Sequence, residues 1–202
     1  MNDGTTKRET AIHEAGHTVV SVALGWYPIE VTLLEGAHDW GGRLNVESGP
    51  GGVRVNRYDP KEDRFYRRDD ATLAKMHARR RDRDEATITA AGVEAEMLFL
   101  PDALCPRGST GDYYRIQDLA ARHCRSEDAR REYEDRAHRR AEKLLRVPKH
   151  WRAVLTLAEA LMERETIPAD DATAIIRAAT GARPRNEQRI GAFALELEEV
   201  SA

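Results

Sequence analysis

No stretch of this 202-residue chain approaches the length of a membrane-spanning helix, and its N-terminus has no apolar leader. The expected location is therefore cytoplasmic, with no membrane partner. Cysteine is nearly absent: Cys105 and Cys124 stand far apart and in no metal-binding spacing. Two isolated thiols make no disulfide framework and suit a reducing compartment. Net charge is small as well, −3 from 32 basic and 35 acidic residues. A nearly balanced chain feels no overall pull toward nucleic acid or an anionic surface. Arginine-rich runs do occur, from Lys75 to Glu85 and from Arg122 to Arg146. Acids interleave both, so they read as solvated helix faces with intrahelical ion pairs. There is no internal repeat, no low-complexity tract and no G-x-x-x-x-G-K-[ST] phosphate loop.

What remains is 41% hydrophobic and 33% charged, the balance of a globular domain with a charged surface. Thr6 followed by Glu9 fits a capping box, which opens an amphipathic helix running to about Leu24 and stopped by Gly25. Ile29 to Glu35 reads as a strand, and Arg43 to Glu47 as its hairpin partner across a glycine-rich turn. From Ser48 to Arg68 no period emerges. The rest is helical. Asp69 or Asp70 caps a long helix that ends before Pro101, with a break expected near Arg79 to Glu85. Further helices run from near Asp112 to Cys124, from Glu127 to Arg146, from Pro148 to Glu165, and from Pro168 to Gly181. The expected fold is a mainly α domain over residues 1–181, with one small β-hairpin after the first helix. Residues 182–202 form a polar tail, weakly helical at Ala192 to Glu199.

The first helix carries His13-Glu14-Ala15-Gly16-His17. Residues four apart share a helical face, so the two imidazoles can converge on one metal ion. Glu14 follows the first histidine directly and can reach a water bound to that metal, take its proton and pass it to a leaving amine. The metal expected for H-E-x-x-H is zinc. Gly16 costs about 1 kcal/mol against alanine inside a helix, so a close packing contact is expected there.

A catalytic zinc wants three protein ligands. The extended form of the motif fails, since Val20 and Ala23 occupy its glycine and last-histidine positions. Glu94, Glu96 and Asp112 are the candidates for the third ligand. On spacing alone, Glu94 and Glu96 also read as a solvated helix face, and Asp112 as a helix N-cap or first-turn acid. His38, His77, His123, His138 and His150 show no ligand spacing.

The stretch Glu9 to Val20 resembles the zinc helix of the FtsH-type peptidases, the proteolytic domain of membrane-bound AAA+ proteases. Val31-Thr32-Leu33-Leu34 is similar to that family's first strand. Ala91-Gly92-Val93-Glu94-Ala95-Glu96 resembles its A-G-R-x-A-E helix, with Val93 in place of the arginine and Glu94 in place of an alanine. Gly108-Ser109-Thr110-Gly111-Asp112 is similar to its T-G-A-x-N-D segment, with Gly111 in place of the asparagine. Leu157 to Ile167 resembles its closing helix. The motifs fall in the family's order and cover residues 8 to 178.

The resemblance implies zinc held by His13, His17 and Asp112, with Glu14 as general base. Glu96 then becomes a supporting residue or an alternative ligand. It also implies a polypeptide substrate, unstructured or unfolded because the chain carries no ATPase motif of its own. An ATPase acting in trans and a homo-oligomer are compatible with it. The strand at Val31 to Leu34 could hold an extended substrate along its edge. The alternative is a non-catalytic binding or regulatory module that keeps the fold.

Overall fold

The computed structural model describes residues 3–28, 30–35, 40–45, 55–56, 71–101 and 110–181. Helix α1 spans Asp3–Ala23. It begins before Thr6, which therefore lies inside the helix and does not cap it. Nor is the helix amphipathic along its motif: every residue from Ala11 to Ser21 is buried. It is packed between α2 (Ala71–Phe99), α5 (Pro148–Arg164) and the sheet.

A helix buried on all sides must be apolar or satisfy its polar groups internally. Ala11, Ile12, Ala15, Val19 and Val20 supply the apolar surface. Thr18 Oγ1 donates to the Glu14 carbonyl at 2.7 Å, and Ser21 Oγ donates to the Thr18 carbonyl at 2.8 Å. His13, Glu14 and His17 are the buried polar residues left to explain. The helix closes on Gly25, whose φ of 86° glycine adopts without strain. Gly25 N–H then donates to Val22 O, and Trp26 N–H to Ser21 O, the paired bonds of a Schellman cap.

Strand β1 (Tyr27–Pro28) pairs with β4 (Val55–Asn56). The expected hairpin is present as β2 (Glu30–Glu35) and β3 (Trp40–Asn45), with Val31 opposite Leu44 and Thr32 opposite Arg43. Its second strand starts earlier than Arg43. A third strand was not expected: β5 (Thr166–Pro168) lies antiparallel on the other side of β2, giving the order β3-β2-β5. Thr32 and Thr166 join their hydroxyls at 2.7 Å across that pair. Glu165, at φ 60°, turns the chain out of α5 so that its carbonyl accepts Leu33 N–H at 2.7 Å. Lys7 Nζ binds its carboxylate at 2.6 Å. From Glu30 to Leu33 the middle strand is thus bonded on both sides, so the Val31 edge is not open to a substrate strand. The outer strands among the described residues are β3 and β5.

The remaining helices are α3 (Thr110–His123), α4 (Glu127–Leu145), α5 and α6 (Ala169–Thr180). Pro148 opens α5 at a position where its missing N–H costs nothing, and Gly181, at φ 66°, closes α6. Helix α2 runs unbroken through Arg79 to Glu85, against expectation. Its acids are latched by neighbouring helices: Asp82 by His123 at 2.7 Å, Asp84 by Arg140 at 2.8 Å, and Glu85 by Arg115. Tyr133 OH also donates to the Asp82 carbonyl at 3.0 Å. Burial, then the nearby Asp82 charge, push that phenol's pKa up to about 12. Leu119, Leu145, Leu157, Leu161 and Ile167 form the fully buried centre between these helices and α1. No helix among the described residues is long and apolar enough to cross a membrane. The expected caps at Asp69 and Asp70, Cys105, and the tail from residue 182 lie outside the described residues.

Candidate metal centre

Three helices meet at the buried histidines. Helix α1 brings His13 and His17, which are 5% and 2% exposed, and α3 brings Asp112 in its first turn. The helix starts at Thr110, so Asp112 is not its N-cap. His13 Nε2 lies 2.9 Å from His17 Nε2 and 2.9 Å from Asp112 Oδ2, and His17 Nε2 lies 3.3 Å from the same oxygen. The two rings stand nearly perpendicular, at 88°. These groups could together hold a metal ion.

The outer nitrogens decide what the inner ones can do. His13 Nδ1–H donates to Glu96 Oε1 at 2.5 Å, and His17 Nδ1–H donates to the Ile88 carbonyl at 2.7 Å. In an α-helix that carbonyl already accepts the N–H four residues on, and its second lone pair is left for His17. With Nδ1 protonated, each neutral ring carries a bare lone pair at Nε2. Two lone pairs and a carboxylate oxygen then face one another across about 3 Å inside the protein. Such a trio of acceptors is held together only by something positive between them. A carboxylate or carbonyl on the outer nitrogen is also the usual partner of a metal-bound imidazole.

Protons meet the same demand when no metal does. Burial alone lowers the His13 pKa. The hydrogen bonds to Asp112 and Glu96 and the charges of Glu14 and Asp112 outweigh it and raise the value to about 10. At His17 burial again lowers the pKa, the Asp112 charge opposes it, and the net shift is upward. Asp112 is pushed up by burial, but the charge of His17 and the hydrogen bonds from both imidazoles hold it far below the usual carboxylate range. Glu14 is 4% exposed, and its charge helps to raise the pKa of both histidines.

Helix α2 forms the wall behind the cage. Ile88, Gly92 and Glu96 are spaced by four and share one face. Gly16 meets the adjoining face: a Cβ at Gly16 would lie 2.6 Å from Ala91 O and 2.6 Å from Ala95 Cβ. This is the close contact its presence in the helix implied.

Neither a family model nor a curated protein matches the chain.

The structure therefore brings His13, His17 and Asp112 together, buries Glu14 where its charge acts on both histidines, and puts Glu96 on the outer nitrogen of His13. Glu94 is elsewhere, paired with His138 at 2.8 Å. The solvated-face reading fails for both glutamates, each only 7% exposed, because they lie on opposite sides of α2 and each is covered, Glu96 by α1 and Glu94 by α4. His123 and His150 also serve local contacts, to Asp82 at 2.7 Å and to Leu144 O at 2.8 Å. Sequence reasoning missed two contributors, the Ile88 carbonyl and the bare backbone of Gly92. The signal for Gly92 was a glycine inside a helix four residues before Glu96; the Ile88 carbonyl, a backbone group, had none.

Proposed function

We propose that the chain is a zinc-dependent endopeptidase acting on unstructured or unfolded polypeptides. One observation carries the reading: three buried acceptors converge while both outer imidazole nitrogens are already committed to protein acceptors. Ligands bonded to one zinc at roughly 2.1 Å and tetrahedral angles stand about 3.4 Å apart. The separations here, 2.9, 2.9 and 3.3 Å, are slightly tighter, and two imidazoles with one carboxylate suit a catalytic zinc. Zinc bound there supplies a Lewis acid that brings the pKa of water to about 7 and polarises a carbonyl.

The chain's own residues then divide the work. His13, His17 and Asp112 hold the ion. Glu96 and the Ile88 carbonyl fix the two rings. Glu14 accepts a proton from the attacking water and returns it to the departing amine. A purely structural metal site would have no use for a buried carboxylate directly after its first ligand. The order of motifs, similar to the FtsH-type peptidases, supports a peptide bond as the target. With β2 enclosed, an extended substrate would lie along the outer edge of β3, which packs on α1.

The test is zinc content of the purified protein together with cleavage of a disordered protein such as casein. One zinc per chain and cleavage abolished by a chelator are expected. Cleavage that survives full removal of metal would overturn the reading. Zinc bound without any Glu14-dependent cleavage would instead establish a binding or regulatory module.

A further inference from the structure

Gly92 lies in the interior of α2, where glycine is less favourable than alanine. Its backbone gives no reason for glycine, since its φ lies outside the left-handed range that marks Gly25 and Gly181. Its surroundings do. A Cβ at position 92 would stand 2.5 Å from His13 Nε2, 2.6 Å from His13 Cε1 and 2.6 Å from His17 Nε2. Carbon contacts relax at about 3.5–4.0 Å, so a methyl group does not fit there. Two of those three atoms are the nitrogens whose lone pairs a metal needs.

We infer that Gly92 is a positioning residue of the metal site. Its missing side chain keeps the Nε2 atoms of His13 and His17 bare. The inference rests on the zinc reading. A side chain at 92 would stand against the donors themselves. The rings cannot turn aside freely, because Glu96 holds one outer nitrogen and the Ile88 carbonyl the other. One stripe of α2 thus supplies a carbonyl, a gap and a carboxylate at successive four-residue steps. Gly16 solves a different problem in the same interface. Its missing Cβ faces the Ala91 carbonyl and Ala95 Cβ, so it sets the distance between helices and not access to the donors.

The experiment compares wild type with Gly92→Ala for bound zinc and for the visible absorption of bound cobalt(II). Gly92→Ala should keep its far-UV circular dichroism and lose more zinc affinity than the roughly 10–100-fold typical of removing an outer hydrogen-bond partner. Its cobalt spectrum should be lost or altered. Zinc stoichiometry, affinity and cobalt spectrum equal to wild type would overturn the inference while leaving the zinc reading intact. A wild type that binds neither metal would sink the zinc reading and this inference with it. Should Gly92→Ala unfold, melting temperatures of the metal-free proteins decide. Added to His13→Ala with His17→Ala, Gly92→Ala should cost nothing, because the rings it strikes are gone. The same loss of melting temperature in that background would show that the gap serves something other than the imidazoles.

Discussion

Replacing Glu96 with glutamine keeps the size of the side chain and removes its charge. Glu96 is 7% exposed and accepts His13 Nδ1–H at 2.5 Å. A hydrogen bond to a charged group contributes about 1.5–3 kcal/mol and a neutral one about 0.5–1.5. The difference, about 1–1.5 kcal/mol, is roughly 5–15-fold in affinity. Intrinsic zinc binding should therefore weaken about tenfold, at the low end for outer partners of a bound imidazole. A second effect opposes the first. Without metal the His13 pKa is raised to about 10, and zinc must displace that proton. Wild-type apparent affinity should thus rise with pH, by about tenfold per unit for each proton displaced. Glu96 is one of the groups that raise the His13 pKa, so the variant's proton competes less. The deficit of Glu96→Gln should be smallest near pH 6.5 and larger toward pH 9.5. Competition for zinc with a chromogenic chelator, measured across that range, gives both numbers. A deficit that shrinks as pH rises, or one as large as that of Asp112→Ala, would refute this account of the cage.

Glu14→Gln should retain zinc, with turnover on casein falling by roughly 10²–10⁴-fold; unchanged turnover would remove Glu14 from the chemistry. Chelation should abolish activity while far-UV circular dichroism stays near native at neutral pH, because the core is apolar and independent of the ion. The metal-free fold should nevertheless weaken with pH. The folded His13 pKa lies above its ordinary 6.5, so its contribution is complete below pH 6.5 and lost as pH rises through about 10. Melting curves of the chelated protein from pH 6 to 10 check the sign, and a rise in stability would contradict it. Gly16→Ala should lower the melting temperature with or without metal. Overpacking against α2 costs about 1–3 kcal/mol, more than the roughly 1 kcal/mol gained in helix propensity; an unchanged or higher value would disprove the close approach.

The spacing of His13 and His17 made one shared helical face legible, and Pro148, Pro168, Gly25 and Gly181 marked element ends because their backbone preferences are local. Other features depended on partners far along the chain. Asp112 could be read as a cap as easily as a ligand until α3 was placed against α1. Glu94 and Glu96 sit in a charged-looking segment, and only the packing of α2 shows that both are buried. The Arg79 to Glu85 run looked like a helix break because its acids find their partners on α3 and α4. Strand β5 is too short to carry a period and exists through its bonds to β2. The Ile88 carbonyl leaves no trace in side-chain chemistry at all.

Enclosure of α1 also sets the order in which the molecule can be assembled. The helix precedes nearly every element that covers it, and α5, one of its walls, ends at Arg164. Lys7 and Glu165 meet across 158 positions, and Thr32 and Thr166 across 134. At synthesis rates of about 5–20 residues per second, the histidines wait on the order of 10–30 s before that wall emerges. Contacts this distant in sequence slow folding, because loop closure comes before any reward. A nascent chain therefore exposes its imidazoles while the cage around them is incomplete. The competent site forms only after α5 and β5 have emerged, which ties its maturation to those later elements and not to first contact with metal.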